Sequence, residues 1–292
     1  MMDRRRFLSL FVAAAVLPGS VRRAPARDTK RTLYDAPIEL GGNWLSAPTE
    51  AVARVLSKIR TANLSGVRLF SDRQPEKIHI ENHLEGTPAI WLHNDRPETA
   101  DIIVDIGPAD WCKLAYQFGH ELGHVLCNSW QFAAKPQPPT QWLEEALVEA
   151  FSIRGLGILA VNWERDPPFA GDSGFAQSIR SYRLDLVNKY QNEVVEPGPG
   201  NNVAVWFRNH RADIETGRSG RGPAIMGILS AYQSELSEPG LGSCVDDLGA
   251  LNRWPERSGT PIENYIEHWA ASCREIGAPG RLPVKLKQLF QL

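Results

Sequence analysis

The segment Tyr116–Trp130, "YQFGHELGHVLCNSW", places two histidines four residues apart with a glutamate directly after the first. On a helix, residues i and i+4 share a face. His120 and His124 can therefore point at one metal ion. Glu121 follows about 100° further round the helix, close enough to reach a water on that ion. Leu114, Phe118, Leu122 and Val125 form a separate apolar stripe. The stripe can enter a core while the histidines face a cleft. Gly123 weakens the helix, so something other than propensity favours it. From the chain's own His and Glu content, chance yields such a pattern roughly once in a hundred sequences of this kind. The bland alternative is a histidine pair hydrogen-bonded inside a core.

An open catalytic metal site takes three protein ligands. Downstream, "QWLEEALVEAFS" (141–152) carries Glu145 and Glu149 four apart on one face, with Glu144 pointing elsewhere. The join between the two helices is short and Pro-rich, which favours an antiparallel pair. That geometry returns Glu145 over the histidines. Cys127 is a rival ligand, but one ion is not easily reached from the successive turns that span 120 to 127. A third histidine placed after a glycine just beyond His124 is missing from "VLCNSWQF".

His120-Glu121-x-x-His124, followed after residues 125–144 by Trp142-Leu143-Glu144-Glu145-Ala146-Leu147, resembles the gluzincin metallopeptidases. These include thermolysin-like enzymes and zinc aminopeptidases, and the latter carry a similar Trp-Leu-x-Glu-Gly-x segment. Ala146 replaces the usual glycine, and a G-x-M-E-N-like stretch is missing. The resemblance covers about residues 111–155. It implies a Zn2+ cofactor held by His120, His124 and Glu145, with Glu121 as general base. Glu149 would hold a histidine ligand in its tautomer. It also implies a zincin-like α+β fold and a peptide or protein substrate paired to an edge strand. "TPAIWLH" (87–93) is one candidate for that strand, and "DIIVDI" (101–106) competes. The oxyanion donor would come from the C-terminal half, with His210, Tyr265 and His268 as candidates. A protein that keeps the zinc without turnover, a pseudo-peptidase, is the competing class; the presence of Glu121 argues against it. A zinc-free helical module is the remaining reading.

The rest of the chain supplies a frame for this site. Residues 27–47 read as an extended lead-in and 48–60 as a helix. Short β-like runs follow at "GVRLF", "KIHIEN", "AIWLHN" and "DIIVDI". From Asp110 onward the pattern is mostly helical, over 110–129, 140–162, 173–190, 222–236 and 261–274. The expected plan is a small mixed N-terminal sheet, then a helical lobe, with the active-site helix at the join. That makes one domain over 27–292, divided into 27–109 and 110–292.

Residues 1–26, "MMDRRRFLSLFVAAAVLPGSVRRAPA", have a charged start, an apolar run from Phe7 to Leu17 and an A-x-A-like end at Ala24–Ala26. The run is too short for a spanning anchor. Arg4-Arg5-Arg6-Phe7-Leu8 resembles a twin-arginine export signal. The expectation is a periplasmic or secreted protein without a membrane anchor once the leader is cut; an uncut leader would tether it. The whole chain carries a formal net charge of -2 and no basic stripe, which speaks against nucleic acid as a partner. Residues 1–26 hold five Arg and one Asp, so the chain from Arg27 is near -6. Export permits disulfides among Cys112, Cys127, Cys244 and Cys273. On one helix the first two would stand about 22 Å apart, too far to bond. Cys244–Cys273 is the favoured bridge, with free buried thiols as the alternative.

Overall fold

The computed structural model describes residues 32–292 apart from 69–70, 132–136, 194–202, 219, 235–243, 256 and 258. The expected leader, residues 1–26, lies outside the described residues. Arg31–Leu292 forms one compact unit.

A four-stranded mixed sheet is built from β1 (Ile38–Gly42), β2 (Lys77–Asn82), β3 (Ala89–Trp91) and β4 (Thr99–Val104), in the order β1-β2-β4-β3. β1, β2 and β4 run parallel, with Ile38 opposite Ile78 and Ile80 opposite Ile102. β3 closes one edge antiparallel to β4, with Ile90 opposite Ile102. In β2 the burial alternates, so Ile78 and Ile80 enter the core while His79 and Glu81 face outward. Helix α1 (Thr49–Asn63) crosses from β1 to β2, as a parallel pair requires, and buries Val52, Val55, Leu56 and Ile59.

The lead-in was expected to be extended, with no strand named in it, and it contains β1. The expected strand at "GVRLF" is missing over its described part: Val67 and Arg68 belong to no regular element. The Arg68 N–H is satisfied by Asp246 Oδ1 at 2.6 Å, from the far end of the chain, and not by a neighbouring strand.

Helices α2 (Trp111–Leu126), α3 (Gln141–Arg165), α4 (Phe175–Asn192), α6 (Gly222–Ser234) and α7 (Ile262–Ile276) fall on the five expected helical segments. α5 (Val203–Glu215), a 3-10 helix (Cys244–Ala250) and α8 (Arg281–Phe290) were not foreseen. α3 is the central helix and packs against α1, α2, α4 and α6. It is long and apolar enough to cross a membrane, yet 78% of its most apolar window is buried inside the protein. It reads as a core helix.

α2 begins at Asp110, whose carboxylate accepts a hydrogen bond from Lys113 N at 3.2 Å and so serves one of the helix's unpaired donors. Asp110→Ala is expected to lower stability by about 1 kcal/mol, measured as a fall in the denaturation midpoint. α2 then packs closely on α3, because Gly119 and Gly123 face it. A methyl group on Gly123 would sit 2.9 Å from Val148 Cβ, and one on Gly119 3.0 Å from Ser152 Oγ. Gly123 therefore trades helix propensity for a close approach of two helices.

All four cysteines are buried and none is in a disulfide, which corrects the Cys244–Cys273 expectation. Each of the two thiols packs elsewhere: Cys244 Sγ lies 3.9 Å from the Ala231 carbonyl, and Cys273 bonds the Asp247 carboxylate.

Candidate metal centre

His120 and His124 project from α2 toward Glu145 on α3. Their Nε2 atoms lie 3.4 and 3.8 Å from Glu145 Oε2. One donor atom from each of the three residues falls within 4.8 Å of the others, so the cluster could hold a metal ion. The helices run antiparallel, as the pairing along them shows: Ser152 Oγ donates to the Tyr116 carbonyl, His120 meets Glu149, and His124 meets Glu144.

Each imidazole is fixed from behind. His120 Nδ1 donates to Glu149 Oε2 at 2.9 Å and His124 Nδ1 to Glu144 Oε1 at 2.7 Å. This leaves each Nε2 as the nitrogen turned to the shared site. The sequence pattern pointed to Glu149 but set Glu144 aside as pointing elsewhere. In the structure Glu144 is 1% exposed and holds His124. The glycine-lined contact brings α3 so near α2 that a residue on the flank of α3 also faces the histidines.

Further partners brace these carboxylates. Glu149 Oε1 accepts from the Tyr116 hydroxyl at 2.8 Å and the Tyr190 hydroxyl at 2.7 Å. Asn252 Nδ2 donates to Glu144 Oε2 at 2.7 Å, while Asn252 Oδ1 accepts from the Tyr265 hydroxyl at 2.6 Å. Tyr265, one of the three candidate oxyanion donors, is buried behind Glu144 with its hydroxyl committed to Asn252. His210 lies beside Trp206, and His268 against Trp254; neither lines the cleft. Cys127, the rival ligand, is fully buried at the end of α2 and also lines no part of it.

The site has an excess of negative charge. Burial disfavours the protonated form of His120, but Glu145 and Glu149 outweigh it and push the pKa up to about 9. The same contest leaves His124 well above its ordinary value, through Glu144 and Glu145. Burial raises the Glu145 carboxyl, yet the two imidazoles hold it far below the usual carboxylate range. Four carboxylates (Glu121, Glu144, Glu145 and Glu149) thus surround two imidazoles. Such a cluster calls for positive charge, which a bound cation supplies while releasing protons. Glu144→Gln, which keeps the shape and removes the charge, is expected to weaken metal affinity 10- to 100-fold, as read by competition with a chromogenic chelator.

The centre opens into a cleft of about 590 Å³. Glu121 lines it with 3% of its surface exposed, and burial raises its pKa. Thr87–Ile90 and Leu92 form one wall, which makes β3 the edge strand beside the site. The competing "DIIVDI" run overlaps β4, an interior strand, at residues 101–104. Lys189, Tyr190 and Arg221 line the cleft from the helical half, with Arg221 Nη1 3.9 Å from Glu145 Oε2. Sequence reasoning missed these three, because no spacing links them to the α2 motif.

Comparison with known proteins found no matching family model, no matching curated protein and no matching solved structure.

Proposed function

We propose that the chain is an exported, zinc-dependent metallopeptidase of the gluzincin kind, with a zincin-like fold. The observation that carries this reading is the convergence of two imidazole Nε2 atoms on one Glu145 oxygen, each imidazole held by its own carboxylate, with Glu121 beside them in an open cleft. Two His and one Glu are a donor set of catalytic zinc. Zinc bonds of about 2.0–2.1 Å place tetrahedral ligands about 3.3 Å apart, close to the 3.4 and 3.8 Å separations found here.

Held by His120, His124 and Glu145, a zinc ion would supply Lewis acidity to a water molecule and a carbonyl oxygen. Glu121 takes the water's proton and later delivers it to the leaving amine. Its burial favours the protonated form it must pass through. The oxygen that gains charge during attack needs a donor, and the cleft offers the Arg221 guanidinium in place of Tyr265. Among the described residues β3 has one partner strand, so its other edge can pair with an extended peptide. Export rests on the leader pattern of residues 1–26.

The test is cleavage of a diverse peptide mixture by the zinc-loaded chain, read by mass spectrometry. New peptide ends are expected. Intact peptides with zinc bound would favour the pseudo-peptidase instead. Glu145→Ala is expected to lose this ion; an undiminished metal content at the centre would remove Glu145 from the ligand set.

A further inference from the structure

The outer face of the sheet carries a second cluster, in a pocket separate from the cleft described above. His79, Glu81 and His83 alternate along β2 and its extension, so all three side chains leave the same face. The extended run continues to His83, whose N–H still bonds the Val104 carbonyl at 3.0 Å. The Glu81 carboxylate stands between the two rings, with Oε1 3.7 Å from His79 Nε2 and Oε2 2.8 Å from His83 Nε2.

His79 is prepared as the metal-bound histidines of zinc sites are. Its Nδ1 donates to Asp101 Oδ1 at 2.9 Å, which leaves Nε2 as the free lone pair. Asp101 is 3% exposed, and its Oδ2 is buried without a hydrogen-bond partner. Gly41 on β1 leaves space beside this ring: a methyl group there would sit 2.8 Å from His79 Nε2 and 3.0 Å from Glu81 Cγ. The pocket holds about 210 Å³. Among the described residues that line it, the one Lys or Arg is Arg96, which is already engaged by Asp101 at 3.1 Å and by His93. Two carboxylates, Glu81 and Asp101, face that single guanidinium, so the pocket favours a cation over an anion.

The geometry points to a second divalent-cation site, for a zinc-class transition metal, formed by His79, Glu81 and His83 and braced by Asp101. Each ring nitrogen stands beside its own Glu81 oxygen, at 3.7 Å for His79 and 2.8 Å for His83, and the three donors do not yet all fall within 4.8 Å of one another. The cluster is looser than the α2–α3 centre, whose three donors lie within 4.8 Å of one another. His83, with 39% of its side chain exposed, has room to turn and close it. Trp91 and His93 line this pocket, whereas Ile90 and Leu92 line the cleft on the other side of the edge strand.

The inference does not depend on the peptidase reading. The test is calorimetric titration of the full chain with Zn2+ alone, repeated on Glu145→Ala, His83→Gln and His79→Gln/His83→Gln. Two equivalents are expected for the chain and one for Glu145→Ala. The double variant is expected to lose the other equivalent. His83→Gln, an exposed replacement that spares the fold, is expected to weaken that equivalent at least tenfold and leave peptide cleavage unchanged. Circular dichroism checks that each variant is folded. The same stoichiometry and affinities with and without the two histidines would overturn the proposal, as would a single equivalent that Glu145→Ala removes. Absence of peptide cleavage with both equivalents bound would contradict the peptidase reading alone.

Discussion

Glu121→Gln is expected to keep zinc at the α2–α3 centre and to reduce peptide hydrolysis by about two to four orders of magnitude, the usual contribution of a positioned acid–base group. Glutamine matches the shape of glutamate but cannot accept the water's proton at neutral pH. Glu121 is not one of the three converging donors, so the ion should remain. Stability should hold or rise slightly, because the substitution removes a carboxylate that is 3% exposed and whose charged form burial disfavours. The measurement is kcat/KM on a cleaved peptide, with zinc content determined on the same sample. A zinc-loaded variant that cleaves at the original rate would remove Glu121 from the reaction.

Gly123→Ala is expected to destabilise the fold by about 1–3 kcal/mol, the usual cost of overpacking. On an isolated helix the same change would stabilise by about 1 kcal/mol, so the sign separates the two effects. Here the new methyl group would meet Val148 Cβ at 2.9 Å and Phe151 Cδ1 at 3.2 Å. These contacts lie between side chains packed in the core, and little around them can yield. Relief requires α2 and α3 to separate. That moves the histidines away from Glu145, so zinc affinity should fall together with stability. Denaturant unfolding and a zinc titration on one preparation test this. A stabilised variant with unchanged zinc affinity would show that helix spacing does not set the centre.

The parts that sequence alone revealed share a physical origin. α2 and α3 carry strong helical periodicity, and the i, i+4 rule placed His120 with His124 and Glu145 with Glu149 before any packing was known. What was hidden depends on tertiary contact. Glu144 reaches His124 only because glycines on α2 let α3 come close. Asn252 and Tyr265 support Glu144 from more than 100 residues downstream. α8 was missed because Pro283 discourages a helical reading. Proline is tolerated in a first turn, whose N–H groups lack helical partners, and here Asp247 accepts from Gly280 N and Leu282 N at 2.7 Å each. β1 was read only as extended chain because its ladder is completed by β2 forty residues later. The Cys244–Cys273 bridge was inferred by pairing the remaining cysteines, and nothing in a sequence reports where a thiol packs.

The most direct measurement is an anomalous difference map at the zinc edge, from crystals of the zinc-loaded full chain. A peak within about 2.0–2.2 Å of His120 Nε2, His124 Nε2 and a Glu145 oxygen is expected. Density at that wavelength with no peak between α2 and α3, in crystals shown to contain zinc, would contradict the proposed centre and the hydrolytic reading built on it.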